Sequence, residues 1–141
     1  MKGSLGMSKK YQDEYVINCK GDAVTGDEIA FVEAVFEGSY RSPKYVGERT
    51  IFGRIVKDSY GAEKQQHTFT ILVDFVEGAN KKDVIVGSKI RRKGRNLYGI
   101  STMRKAWVDE SMRKVALAEK HARGGAARAE RDHRKAGGFY G

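Results

Sequence analysis

Between Arg49 and Val76 apolar and polar residues alternate in two clear runs. In "RTIFGRIVK" (49–57) Ile51, Gly53 and Ile55 stand against Thr50, Phe52, Arg54 and Val56. In "HTFTILVDFV" (67–76) His67, Phe69, Ile71, Val73 and Phe75 share one face, and Thr68, Thr70 and Asp74 the other. A period of two is the mark of a half-buried strand, so the middle of the chain predicts a strand pair. The stretch between them, "DSYGAEKQQ" (58–66), exceeds the about two to five residues of an ordinary hairpin turn. It reads as an exposed loop carrying Tyr60 and Lys64 toward a ligand.

The flanks are read the same way. Residues 1–26 are largely polar, with one short apolar alternation at Tyr15, Ile17 and Cys19, and predict an N-terminal arm. In "GDEIAFVEAVFEGS" (26–39) Asp27 suits a helix cap, but the β-branched and aromatic content favours a strand. Strand is the reading taken. "GSYRSPKYVGE" (38–48) holds the only proline and predicts a loop. In "VIVGSKIRRKGRNLYGI" (84–100) Gly94 argues against a helix interior. Read as a strand, it projects Lys89, Arg91, Lys93 and Arg95 from one side at steps of about 6.6 Å. Like charges in a row oppose folding, so this strand belongs at an edge or rim. One or two lysines would guard such an edge; five cations between Lys89 and Arg95 exceed that need. After Trp107 the pattern turns helical, with Asp109 as cap and Met112, Val115, Ala116 and Glu119 on one side. Gly124-Gly125 costs about 2 kcal/mol of helix propensity and predicts a break. Beyond it, Arg128, Arg131 and Lys135 line a second helix with almost no apolar face.

These elements predict an α+β chain: a small, mostly antiparallel β-barrel over 27–105, an arm over 1–26 and a basic helical extension over 106–141. The order "GRIV", loop, "HTFTILV", "VGSKIRRKGRNLY" resembles that of OB-fold nucleic-acid-binding barrels over roughly residues 49–100. Gly87, Lys89, Ile90, Gly94 and Arg95 match a G-x-K-apolar-x-x-x-G-basic element of that family. SH3-like barrels give the same pattern. The OB resemblance implies that Tyr60, Lys64 and the 89–98 strand line a face for single-stranded nucleic acid.

Composition sharpens the partner. The net charge is +9, yet residues 1–80 hold 10 Lys+Arg and 12 Asp+Glu, against 17 and 6 in residues 81–141. Such asymmetry predicts a polyanionic partner. Phosphate neutralisation falls to Lys89, Arg91, Lys93, Arg95, Arg104 and Lys105, helped by Lys64 and by Arg128, Arg131 and Lys135 of the tail. Stacking falls to Tyr98 and Tyr60, with Trp107 behind them as a core residue. DNA and RNA, single and double strands, all remain open. The runner-up is a protein–protein module acting on a nucleic-acid enzyme, docking an acidic surface through Tyr40, Arg41, Lys44 and Tyr45.

Catalysis is not expected. Two-histidine phosphoesterases need a threonine two positions after histidine, where Phe69 stands, and neither His121 nor His133 supplies a second copy. Cys19, His67, His121 and His133 lack metal-ligand spacing, and no cofactor is expected. The lone Cys19 and the absence of an apolar leader or membrane span predict a cytoplasmic protein. Size and basicity suit a phage or plasmid accessory protein.

Overall fold

The computed structural model describes residues 13–61 and 66–138, the side chains of Gln66 and of residues 125–138 excepted. Six strands form one antiparallel sheet: β1 (Ile17–Asn18), β2 (Glu28–Ser39), β3 (Ser42–Gly61), β4 (Gln66–Gly78), β5 (Lys89–Lys93) and β6 (Ser101–Arg104). A helical turn, α1 (Gly94–Leu97), follows β5, and a long helix, α2 (Glu110–Gly138), ends the described chain. The order across the sheet is β1-β6-β2-β3-β4-β5. Among the described residues no pairing joins β5 back to β1 or β2, so the sheet is open where a barrel was expected. It nevertheless curls: Arg92 of β5 reaches across to Glu33 of β2 at 2.8 Å, although β3 and β4 separate these strands.

Within segment 26–39, Glu28–Ser39 is a strand, as its β-branched content predicts. Two expected loops are instead paired. The "SYRSPKY" stretch is a hairpin with Ser39 opposite Ser42 and only Tyr40-Arg41 at the turn. The "DSYGAEKQQ" stretch is mostly ladder, with Tyr60 opposite His67 and Gly61 opposite Gln66. Polar composition concealed both, because a ladder is held by backbone bonds that any residue but proline can make. Lys64 lies outside the described residues.

Bulges decide which residues face where. Between Phe52 and Gly53 the register shifts so that Phe75 pairs with Phe52 while Val73 pairs with Gly53, leaving Asp74 as the extra residue. The shift flips the phase of β4. Phe69, Ile71 and Val73 enter the main core with Ile29, Phe31, Ile51, Ile55 and Leu97. Phe75, expected beside them, turns to the opposite face and packs with Tyr15, Ala30 and Phe52. Gly53 permits the close approach of β4, since a Cβ there would collide with the Leu72 carbonyl oxygen. The expected N-terminal arm is also packed in its described part: Tyr15, Cys19, Ala23 and Val24 are buried. Burial pushes the Cys19 thiol up to about 12, leaving it un-ionised and unreactive.

Helix α2 docks by charge more than by an apolar stripe. Asp27 is fully buried and accepts bonds from Arg113 Nε (2.8 Å), Arg113 Nη2 (2.9 Å), Trp107 Nε1 (2.7 Å) and the Val24 amide (3.0 Å). The Trp107 ring lies against Gly26, where a Cβ would meet it at 2.8 Å. Two turns further, Lys120 is buried and donates to the Ala23 carbonyl at 3.0 Å. Its ammonium lies 5.5 Å from the centre of the Phe69 ring. Arg123 then pairs with Asp58 at 2.5 Å. The helix continues through Gly124-Gly125, where a break was expected. Tertiary anchoring on the preceding turns, together with burial of Gly124, overrides the local propensity.

Replacing one partner of a buried ion pair strands the other. Asp27→Ala should therefore lower the unfolding free energy by about 3–5 kcal/mol, read from urea denaturation. The double variant Asp27→Leu with Arg113→Met should recover most of that loss. Full stability of Asp27→Ala alone would show that this carboxylate does not hold the helix.

Candidate nucleic-acid interface

The face of the sheet opposite the main core carries a group of cations built by cross-strand register. On β5, Lys89, Arg91 and Lys93 are exposed while Ile90 and Arg92 turn inward. The ladder places Leu72 beside Lys89, Thr70 beside Arg91 and Thr68 beside Lys93. On the other side of β4, Arg54 pairs with Leu72, Lys57 with Thr70 and Ser59 with Thr68. Three rows result: Arg54–Leu72–Lys89, Lys57–Thr70–Arg91 and Ser59–Thr68–Lys93. They hold five exposed cations and no carboxylate. With strands about 4.8 Å apart and same-face residues about 6.6 Å apart, the group covers about 10 by 13 Å. None of the five has an ion-pair partner among the described residues. The nearest acid in register, Glu28 opposite Arg54, is itself 3.7 Å from Lys105.

Arg54 and Lys57 were missed in the sequence for a physical reason. Three positions apart, they fall on opposite faces of a regular strand. A bulge between Ile55 and Lys57 makes Val56 the extra residue and returns Lys57 to the side of Arg54. A one-residue bulge leaves no mark in the alternation that period-two reading could detect.

The expected site residues divide. Lys89, Arg91 and Lys93 lie together as described. Arg95 does not continue their row, because the strand ends at Lys93 and Arg95 sits exposed on α1. Tyr98 is committed to the fold. Its ring packs edge-on against Phe69 at 6.0 Å, and its hydroxyl accepts the Ala23 N–H at 3.0 Å. Burial pushes its phenol well above the usual range, and a residue so held is no platform for a base. Tyr60 packs against His67 at 4.8 Å, on the inner side of the ladder. Arg104 is buried and bidentate to Glu110, at 3.0 and 2.9 Å. Lys105 lies between Glu14 (3.3 Å) and Glu28 (3.7 Å), over the Tyr15 ring. These two cations hold chain segments together and are lost to the phosphate-binding set. The side chains of Arg128, Arg131 and Lys135 lie outside the described residues. Of the hairpin residues, Tyr40 is fully exposed and Tyr45 packs against Phe36 at 5.7 Å.

Glu33 sits on the inner face between Arg49 and Arg92, bonded to both guanidinium groups. Burial opposes its ionisation, but the bonds from Arg92 and Arg49 prevail and hold its carboxyl below the usual range. Among the described residues no cluster of three or more His, Cys, Asp or Glu side chains is arranged to hold a metal. No helix there is long and apolar enough to cross a membrane.

Residues 19–107 match the model of a family described as a domain of unknown function, DUF7699. The chain belongs to that family. The matched region takes in strands β2 to β6 of the sheet and extends to Trp107, the residue that meets Asp27. The chain is also 42% identical over 136 residues to "Zinc finger CCCH domain-containing protein 62" of Oryza sativa subsp. japonica. That alignment takes in 93% of this chain and 19% of the rice protein, so the chain spans about a fifth of its relative's length. With a single cysteine the chain contains no CCCH finger of its own. No solved structure matches it.

The Arg104–Glu110 contact gives a pH signature. Bonds from Arg104 and the Trp107 amide hold the Glu110 carboxyl at about 2, below its ordinary 4.5. A depressed folded-state value contributes stability above 4.5 that disappears as pH falls toward 2. Urea midpoints measured from pH 6 to about pH 2.5 should fall less steeply for Glu110→Gln than for wild type. Parallel curves would mean that this pair adds nothing to stability.

Proposed function

We propose that the chain is a nucleic-acid-binding module of low sequence specificity whose contact surface is the Arg54, Lys57, Lys89, Arg91 and Lys93 face. One observation carries this reading: five exposed cations gathered from β3 and β5 on either side of β4, without a carboxylate among them. Such an arrangement repels itself and weakens the sheet that bears it. A polyanion relieves the repulsion and releases its own counterions on binding. Arg95 extends the surface at the end of β5. The backbone of nucleic acid is the ligand of choice, since phosphates are met by point charges without base reading. The curl of the sheet, with α1 and the Arg92–Glu33 pair lying in its seam, suits an opened small barrel of the OB-like or SH3-like kind. A reducing compartment such as the cytoplasm suits the lone thiol of Cys19. The chain is read as a binding module without catalytic activity. Neither the charge face nor the plant relative adds support for a phage or plasmid setting.

The protein–protein reading draws on a different observation, the exposed aromatics of the β2–β3 hairpin at Phe36, Tyr40 and Tyr45. It concerns a separate surface and is compatible with the first.

Lys57→Gln with Arg91→Gln separates the two. Both side chains are exposed and unpaired, so each change should alter folding by less than about 0.5 kcal/mol. On a labelled single-stranded oligonucleotide, the slope of log affinity against log salt should become shallower by about 1.4, or 0.7 per lost contact. Affinity should weaken alike for unrelated sequences. Unchanged slope and affinity, or no binding of wild type to DNA or RNA at low salt, would remove this function.

A further inference from the structure

β2 has two very unequal edges. Along one it pairs with β3 over its whole length, from Glu28 to Ser39. Along the other, β6 covers only Ile29 to Val32, and no described strand follows. The edge from Glu33 to Ser39 is therefore left with backbone donors and acceptors unpaired by any strand among the described residues. Natural sheets guard such edges with lysine, proline or cover. The hairpin does so on its other side, where β3 runs beyond the reach of β4 with Pro43 and Lys44. The β2 stretch, "EAVFEGS", has neither residue.

The same edge borders a groove of about 430 Å³, with Ala34 and Phe36 on one wall and Arg95, Asn96 and Ile100 on the other. Phe36 is 56% exposed and Ile100 50%, so each wall presents one large apolar side chain. Arg92, also in the lining, shares the Glu33 carboxylate with Arg49. Arg95 has no carboxylate partner among the described residues, so the groove carries net positive charge. β6 begins only at Ser101, opposite Val32, so the chain before it at Gly99-Ile100 does not continue the pairing along Glu33–Ser39.

We propose that this groove is a docking slot for an extended peptide of a partner protein, which adds as a strand to the free Glu33–Ser39 edge. Main-chain bonds to the edge supply affinity and side-chain contacts supply selectivity, as in other strand additions. The chemistry of the walls sets the peptide: an apolar residue seated between Phe36 and Ile100, flanked by a carboxylate on Arg95. Apart from Arg95, which borders both, this surface is separate from the proposed phosphate-binding face of Arg54, Lys57, Lys89, Arg91 and Lys93.

The probe is a fluorescein-labelled octapeptide alternating valine with glutamate, followed by anisotropy on the full chain. It should bind saturably, and the same peptide with lysine in place of glutamate should not. Two further versions carry N-methyl groups on the odd or the even backbone amides. In an added strand alternate amides face the partner edge, so one version should lose binding and the other keep it. Arg95→Glu should weaken the peptide at least tenfold. Its side chain is exposed and unpaired, so the fold should stand, as a thermal melt will verify. Lys57→Gln with Arg91→Gln should bind the peptide as wild type does, even if its nucleic-acid affinity is lost. Absence of binding, equal loss with both N-methylated versions, or an edge found occupied by a second copy of the chain would each overturn the proposal.

Discussion

The architecture depends on one buried carboxylate. Asp27 stands at the entrance to β2, with no exposure to solvent, and receives four hydrogen bonds from three different parts of the chain. Val24 belongs to the turn before β2, Trp107 to the segment after β6, and Arg113 to the first turns of α2. Any one of these bonds would be modest alone. Together they fix the sequence-distant ends of the domain around a charge that has no access to water, where an unmet bond is expensive. The Arg104–Glu110 pair and the contacts of Lys120 and Arg123 are then within reach, because α2 has already been placed.

That geometry changes the meaning of the charge distribution. The excess of cations in the C-terminal part invites an external polyanion as its explanation. Part of it is answered inside the molecule. Arg113 and Arg123 meet Asp27 and Asp58 of the acidic N-terminal part, and Arg92 meets Glu33. The two halves are electrostatic complements, and this is what lets a helix with a short apolar stripe pack at all. Among the described residues, the cations left over after this pairing include Arg54 and Lys57 of β3, Lys89, Arg91 and Lys93 of β5 and Arg95 of α1, which are free to meet something else. A function assigned from net charge alone would have credited Arg104 and Lys105, which are structural.

The strands over 27–39, 49–57 and 67–76 were readable because side-chain alternation is a direct consequence of the pleat. The helix after Asp109 was readable from its cap, and the Lys89–Lys93 face from strand parity. What escaped has a common cause. Bulges at Val46, Val56 and Asp74 change parity without changing composition, and they moved Phe75 and Lys57 to faces the pattern denies them. The pairing of the two polar hairpins rests on backbone bonds, to which the side-chain pattern is blind. Tyr98 read as a ligand-facing aromatic because local sequence does not reveal that Ala23, distant along the chain, offers it an amide. The barrel was inferred from the order of the elements and its resemblance to OB-folds, whereas closure depends on an edge-to-edge contact that no single strand encodes.

The bulge at Val56 has a consequence for how relatives of this chain should be compared. Val56 makes no charge contribution, yet it determines whether Arg54 and Lys57 stand on the same side of the sheet. A homologue that lacked one residue here would keep both cations in alignment and still present them on opposite faces, one of them toward the core. Conversely, a homologue with a cation at position 56 in place of 57 and a regular ladder would recreate the same surface. In this family the length of the segment between Gly53 and Asp58 is thus as informative as the letters in it.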